Sequence, residues 1–226
     1  MSSENKVRRV VSNQTEIFSD LEKKVLRYLK TTYQRPYASH TIKAFNQAQD
    51  FIRTFEKPVV LDSGCGCGES TLVLAAKYPD HPVIGIDKSQ IRLTKAQKNS
   101  QPKNVFYIQA ELIDFWRLAL EAELNVFFHA LYYPNPWPKE SQAGRRFHGH
   151  PIFPTLLQLC PNMELRTNWK IYAEEFLEAS RIGFQYLQMK WTPLLEEWVP
   201  SVPETAFERK YFENGQTLFR VRIVRD

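Results

Sequence analysis

Apolar positions along this 226-residue chain keep two rhythms. Leu21, Val25 and Leu29 recur at four-residue spacing behind Ser19-Asp20, and Ile42, Phe45, Phe51, Ile52 and Phe55 follow Ser39, a pattern that predicts two capped helices. From Val59 onward, short apolar runs alternate with helical stretches. Strands are expected over 58–63, 82–87, 104–109 and 124–132, with helices over 69–78, 89–98 and 112–122 between them. This alternation predicts a parallel sheet with helices on both faces. Beyond a polar-aromatic loop over 133–150, the pattern gives a helix near 151–158, a strand near 162–167, a helix over 169–181 and a strand over 184–190. Its end differs: Phe207–Phe212 and Thr217–Val224 flank Glu213-Asn214-Gly215-Gln216 and read as a hairpin. The expected fold class is α/β, a doubly wound and mostly parallel sheet finished by a C-terminal antiparallel hairpin element.

Length and composition narrow the reading. No long Gly/Ser or Pro linker divides the chain, so one domain over 57–226 is expected, preceded by an N-terminal basic arm and helices over 1–56. The arm carries Lys6, Arg8 and Arg9 among polar residues and reads either as a solvated tail or as an RNA-contacting segment. No run of eighteen apolar residues and no secretory leader appears, so no membrane span is expected and a cytoplasmic location is the default. Cys65, Cys67 and Cys160 are too few and too badly spaced for a disulfide framework or a four-ligand zinc site. A formal charge of +5 tilts the partners toward polyanions.

The stretch "LDSGCGCGES", residues 61–70, places Gly64, Gly66 and Gly68 at alternate positions between an expected strand and an expected helix. A turn this tight needs residues tolerant of positive φ, and a ligand reaches main chain only where no Cβ intervenes. The dinucleotide fingerprint needs a glycine where Glu69 stands, and the P-loop Gly-Lys-Ser/Thr ending is missing, so neither phosphate cradle fits. Acids supply the alternative. Asp62 precedes the glycines; Asp87 ends the second strand, where a carboxylate can accept both ribose hydroxyls; Glu111, after the third strand, can accept from an adenine amino group. Three carboxylates around a glycine turn suit a cationic cofactor without phosphate, namely S-adenosyl-L-methionine.

"YYPNPWPKESQAGRRFHGHP", residues 132–151, follows the fourth strand. Its prolines forbid regular structure, and an aromatic turn followed by Lys139, Arg145 and Arg146 suits an extruded base beside a phosphate backbone. His148 and His150 lack clustered carboxylates, so no metal is assigned.

These motifs carry a resemblance. Over about residues 57–220 the chain resembles class I S-adenosylmethionine-dependent methyltransferases, and within them is similar to the tRNA guanine-N7 methyltransferase family: "PNPWPK" with paired arginines resembles Pro-Asp-Pro-Trp-x-Lys, "LRTNWKIYAEEF" resembles Thr-Asp followed by Tyr, and "TAFE" resembles Thr-x-Phe-Glu. The resemblance implies a Rossmann-like seven-stranded sheet, a cofactor site at Asp62, the three glycines, Asp87 and Glu111, tRNA as the partner, and a substrate role for Thr205 and Glu208. Asn135 and Asn168 stand where the family carries aspartates. The guanine N7 lone pair holds no proton, so attack requires alignment rather than a general base. Glu208 is then the acid left to offset the purine cation, with Asn135 beside the base and Asn168 on the substrate. Two other readings stay open. One is an amino-group methyltransferase acting on another base or a protein side chain, whose Asn/Asp-Pro-Pro-aromatic motif "NPWP" matches imperfectly; the other is a non-catalytic RNA-binding relative.

Overall fold

The computed structural model describes residues 10–98, 101–159 and 161–225; Lys6, Arg8, Arg9 and Cys160 lie outside them. Seven strands form one sheet: β1 (Val59–Ser63), β2 (Val83–Asp87), β3 (Val105–Gln109), β4 (Val126–Tyr132), β5 (Met163–Thr167), β6 (Trp191–Trp198) and β7 (Leu218–Arg225). Their spatial order is β3-β2-β1-β4-β5-β7-β6. The first five are mutually parallel, while β7 runs antiparallel to both β5 and β6.

Alternation along the strands separates two cores. Val59, Leu61, Ile84, Ile86 and Leu131 face one apolar layer, and Val60, Val83, Tyr107, Phe128 and Ala130 face the other. Helices α3 (Glu69–Lys77) and α4 (Gln90–Ala96) cover the second layer, supplying Leu74, Ala75, Leu93 and Ala96. The first layer is covered by α1 (Leu21–Leu29), α2 (Ser39–Ile52), α5 (Leu112–Glu121), α6 (Phe153–Leu159) and α7 (Lys170–Tyr186). Strands buried on both faces favour apolar residues at successive positions, which is why β1, β2 and β4 begin on continuous runs rather than strict alternation. The strand order reverses at β1 and β4, so the carboxyl ends of these strands open the crevice where ligands bind in such sheets.

The mostly parallel sheet with an antiparallel C-terminal end agrees with expectation, but three segments there differ. The strand expected over 184–190 is instead the last turn of α7 and its exit. Phe184 and Leu187 continue the helical spacing of Phe176 and Ala179, and Gly183 lets α6 lie close, since a Cβ there would sit 2.2 Å from Leu157 Cδ1. The strand itself, β6, begins at Trp191 and tolerates Pro193 because it is the sheet edge. The strand expected over Phe207–Phe212 is helix α8 (Ala206–Glu213). Thr205 Oγ1 accepts from the Glu208 N–H at 2.9 Å while Glu208 Oε2 accepts from the Glu204 N–H at 2.7 Å, a variant of the reciprocal capping box. Gly215, with φ of 62°, follows as the helix stop, so the antiparallel partner of β7 is β6 rather than the segment over 207–212.

Candidate cofactor and methyl-acceptor site

The three glycines of the turn between β1 and α3 divide in function. All have positive φ: 82° at Gly64, 58° at Gly66 and 81° at Gly68. At Gly64 and Gly66 an added Cβ would meet nothing within 4 Å, so bare backbone faces open space. At Gly68 it would lie 2.4 Å from the Tyr107 hydroxyl oxygen and 2.8 Å from Ala96 Cβ, so this glycine serves packing of α3 against β3 and α4. The turn is pinned from below by the Gly64 and Cys65 N–H groups donating to Ile86 O at 2.8 and 3.0 Å.

The acids lie at the ends of three adjacent strands, and Asp87 touches the turn itself. Asp87 Oδ2 accepts from the Gly66 N–H at 3.1 Å, Oδ1 accepts from the Ser89 N–H at 2.7 Å, and Arg92 stands 3.5 Å away. Asp62 is buried, with Oδ2 accepting from Ser70 Oγ at 2.8 Å and Thr71 Oγ1 at 2.6 Å. Burial pushes its carboxyl up to about 6 despite those two hydrogen bonds. A buried acid poised this way gains from a cationic neighbour. Glu111 is half-buried at the N-cap of α5, its N–H donating to Thr41 Oγ1 at 3.1 Å. An open glycine cradle bordered by acids at three strand ends fits S-adenosylmethionine, a cation without phosphate.

The loop after β4 forms the neighbouring wall. Tyr133 and Trp137 adopt φ of 49° and 45°, both immediately before a proline, a conformation rarely populated by residues with a side chain. Tyr133 is held by its N–H donating to Arg166 O at 2.8 Å and its hydroxyl donating to Glu208 Oε1 at 2.9 Å. Asn135 is exposed, and its Oδ1 accepts from the Trp137 N–H at 3.3 Å. Lys139 and Arg145 are exposed, with the Arg145 guanidinium 4.8 Å from the Trp137 ring.

Arg146 corrects the expectation of a phosphate contact, because it is fully buried. Its Nη1 donates to Glu175 Oε2 at 2.6 Å, Nη2 to Gln14 Oε1 at 2.8 Å, and Nε and Nη2 to Trp137 O at 3.2 and 3.0 Å. Glu175 also accepts from Gln14 Nε2, the Phe18 N–H and His148 Nε2. Burial would raise the Glu175 carboxyl, but His148 and Arg146 bring it down to about 2. Burial also lowers His148 and favours its neutral form, so we assign the charge opposite Glu175 to Arg146. The N-terminal segment joins this lock through Ser12 Oγ, which donates to Pro138 O.

Glu208 likewise differs from the open acid expected beside a purine. It is buried and accepts from Tyr133, Trp198 Nε1 at 3.2 Å and Arg166 Nη1 at 3.1 Å. Its charge is answered inside the protein, and Thr205 caps its helix. Both are positioning residues of the loop and α8. Arg166, missed in the sequence, sits between Glu164, Glu204 and Glu208 with its guanidinium 4.0 Å from the Tyr132 ring. Burial alone would lower its pKa, but surrounding Tyr132 and the three glutamates raise it. The signal was a glutamate and an arginine, Glu164 and Arg166, at alternate positions of the buried "MELRT" strand. Asn168 lines a cleft of about 260 Å³ with Val10, Lys170, Gln216 and Thr217, its Nδ2 donating to Gln216 Oε1 at 2.9 Å.

A family model described as "Putative methyltransferase" matches residues 56–221. The chain belongs to this methyltransferase family. Relatives include the tRNA (guanine-N(7)-)-methyltransferase of Thermotoga maritima, 27% identical over 72% of this chain and 52% of the relative. That of Acinetobacter baylyi is 27% identical over 72% of this chain and 68% of the relative. The methyltransferase thus spans about half the length of the first relative and two thirds of the second. Solved structures share the fold. An aminoglycoside resistance methyltransferase superposes with a TM-score of 0.55 at 16% identity, covering 80% of this chain and 93% of that one. The 16S rRNA (adenine(1408)-N(1))-methyltransferase from Catenulisporales acidiphilia, solved with its cosubstrate SAM, gives 0.52 at 14% identity, covering 80% and 92%.

Proposed function

We propose that this methyltransferase uses S-adenosylmethionine to form 7-methylguanosine in tRNA. The observation that carries the reading is the junction of two structures at the crevice: the open Gly64–Gly66 cradle with its acids, and the Tyr133–Lys139 loop held by buried Arg146 and Arg166. Relatives named for this activity supply the substrate class. When bound, the cofactor supplies a methyl group on a sulfonium centre. On this reading Asp87 holds the ribose hydroxyls, Asp62 faces the cationic amino-acid end, and Glu111 borders the adenine. Gly64 and Gly66 let the cofactor lie on main chain.

The chain's own contribution to transfer is alignment, because guanine N7 attacks without losing a proton. The loop presents Asn135 beside the base as a neutral group, Lys139 and Arg145 toward phosphate, and Asn168 from the neighbouring cleft. We take residues 57–226 as the methyltransferase unit, with the segment before it completing the acceptor loop, and place the protein in the cytoplasm with RNA as its partner. Among the described residues no helix is long and apolar enough to cross a membrane. Amino-group methylation is less well supported, since the Asn135 side-chain oxygen is engaged by Trp137 N–H rather than directed at an amine.

The test is transfer of labelled methyl to unmodified tRNA followed by nucleoside analysis. The expected product is 7-methylguanosine. A cofactor-binding protein that forms none across several tRNAs would overturn the substrate and leave the methyltransferase family.

A further inference from the structure

Helix α8 reverses the usual burial pattern. Glu208 is its buried side chain, while Phe207 and Phe212 stand 54% and 41% exposed. An eight-residue helix that buries a carboxylate and exposes two phenylalanines is not held by its apolar residues. Its anchor is polar: the capping pair of Thr205 and Glu208, and the contacts of Glu208 with Arg166 and Tyr133. The aromatic residues are left for another use.

Their arrangement is ordered. Phe207 and Tyr211 lie one turn apart with ring centroids 6.1 Å apart and planes inclined by 25°. The Tyr211 ring in turn lies 5.7 Å from Tyr133, inclined by 48°. Tyr133 is the first residue of the acceptor loop, so three rings lead outward from it to Phe207 at the surface. The same helix is placed beside the cofactor cradle by Arg209, which pairs with Glu69 at 3.0 Å, directly after Gly68. Lys210 adds an exposed cation next to Tyr211.

We propose that Phe207 and Tyr211 form a stacking site for an unpaired nucleotide flanking the target base, with Lys210 near its phosphate. The site deepens the RNA reading above and rests on it. Flat rings in series, half-buried at Tyr133 and Tyr211 and exposed at Phe207, with cations alongside, match the chemistry of single-stranded nucleic acid, because every base offers a π-face and every linkage a negative charge. A paired helix keeps its bases stacked inside and offers these rings nothing. The ladder starts at the acceptor loop, so a strand entering with its target base extruded brings the neighbouring base over α8.

The experiment uses the full chain and measures anisotropy of a labelled mixed-sequence single-stranded RNA and of a fully paired RNA of equal length. Replacing Phe207 and Tyr211 together with leucine keeps apolar bulk while removing the flat faces. The expected result is a loss of roughly tenfold or more in single-strand affinity, in line with the loss of base–aromatic stacking. Duplex and adenosylhomocysteine affinities should stay unchanged, the latter confirming the fold. Phe207→Trp should equal or exceed the native affinity. Equal single-strand affinity in the native and leucine forms, or no binding of single strands by the native chain, overturns the proposal; the former result would leave the rings as a docking surface for a protein. The outcome is independent of the product assay. Oligonucleotide stacking without 7-methylguanosine would retain this site and remove the tRNA reading, whereas native tRNA methylation and RNA binding by the leucine form would do the reverse.

Discussion

At the turn after β1, Asp62 finds its partners eight and nine residues ahead, and Asp87 reaches a backbone N–H twenty-one residues back. The loop after β4 takes its shape from much farther away: Arg146 carries the Trp137 carbonyl to Glu175, 29 residues on, and to Gln14, 132 residues back. The first region leaves main chain bare for a ligand. The second uses an ionised side chain, which looks in the sequence like a ligand group, to hold main chain in a strained course. Charge in a loop is therefore ambiguous between contact and scaffolding until its long-range partners are known.

The largest effect expected is on the scaffold. Glu175→Ala leaves the Arg146 guanidinium buried without its counter-charge, and stability should fall by about 3–5 kcal/mol, measured by denaturant unfolding. A loss below 1 kcal/mol would make the network incidental. The glycine turn responds differently from one position to the next. Gly66→Val should abolish adenosylhomocysteine binding in calorimetry, by filling the cradle and by straining a β-branched residue at positive φ, while Gly68→Ala should act chiefly on the fold and lower the melting temperature by several degrees, since its Cβ collides with Tyr107 and Ala96. Equal effects of the two substitutions on binding would erase the distinction drawn between them.

A smaller effect concerns pH. The folded-state pKa of Asp62, about 6, lies above its ordinary 3.8, so the native state holds the extra proton across that interval. Stability contributed by this group is full at lower pH and declines as pH rises from about 4 through 6. A cationic ligand favours the ionised form, so its affinity should rise with pH through about 6 and Asp62→Asn should flatten that rise, as read by calorimetry on either side of that value. The smallest effect is at the surface. Replacing Lys139 and Arg145 with alanine should reduce the slope of log affinity against log salt for RNA by roughly 1.5, as expected for two lost phosphate contacts. An unchanged slope would leave that face outside the RNA path.

How much was legible follows the same division. Strands β1 to β4 and the glycine turn were written in local pattern, because buried strands favour apolar runs and an open turn needs glycine; β5 was expected too, although Glu164 and Arg166 interrupt its apolar positions. Thr205-x-x-Glu208 carried a helix start that the apolar spacing of Phe207 and Phe212 concealed, and those rings were read as strand because they are not where the helix is buried. Pro193 and the paired glutamates hid β6, an edge strand. Glu208 and Arg146 were recognised as belonging to the site but assigned outward roles. No local feature reveals that Arg166 lies beside one or Gln14 beside the other, since either pairing exists only once the sheet has formed.

The bond between Gln14 and Glu175 spans 161 positions and sets an order in time. At a synthesis rate of about 5–20 residues per second, roughly ten to thirty seconds separate the appearance of the two partners. Within the segment from β1 to β3, the strand pairing and the hydrogen bonds of Asp62 and Asp87 have their partners well before then. The loop after β4 must wait until α7 emerges to meet an N-terminal stretch made much earlier. A nascent chain of this protein therefore has the strands around its glycine turn in hand before the loop after β4 can be fastened, and the N-terminal partner of that loop is the one that waits longest.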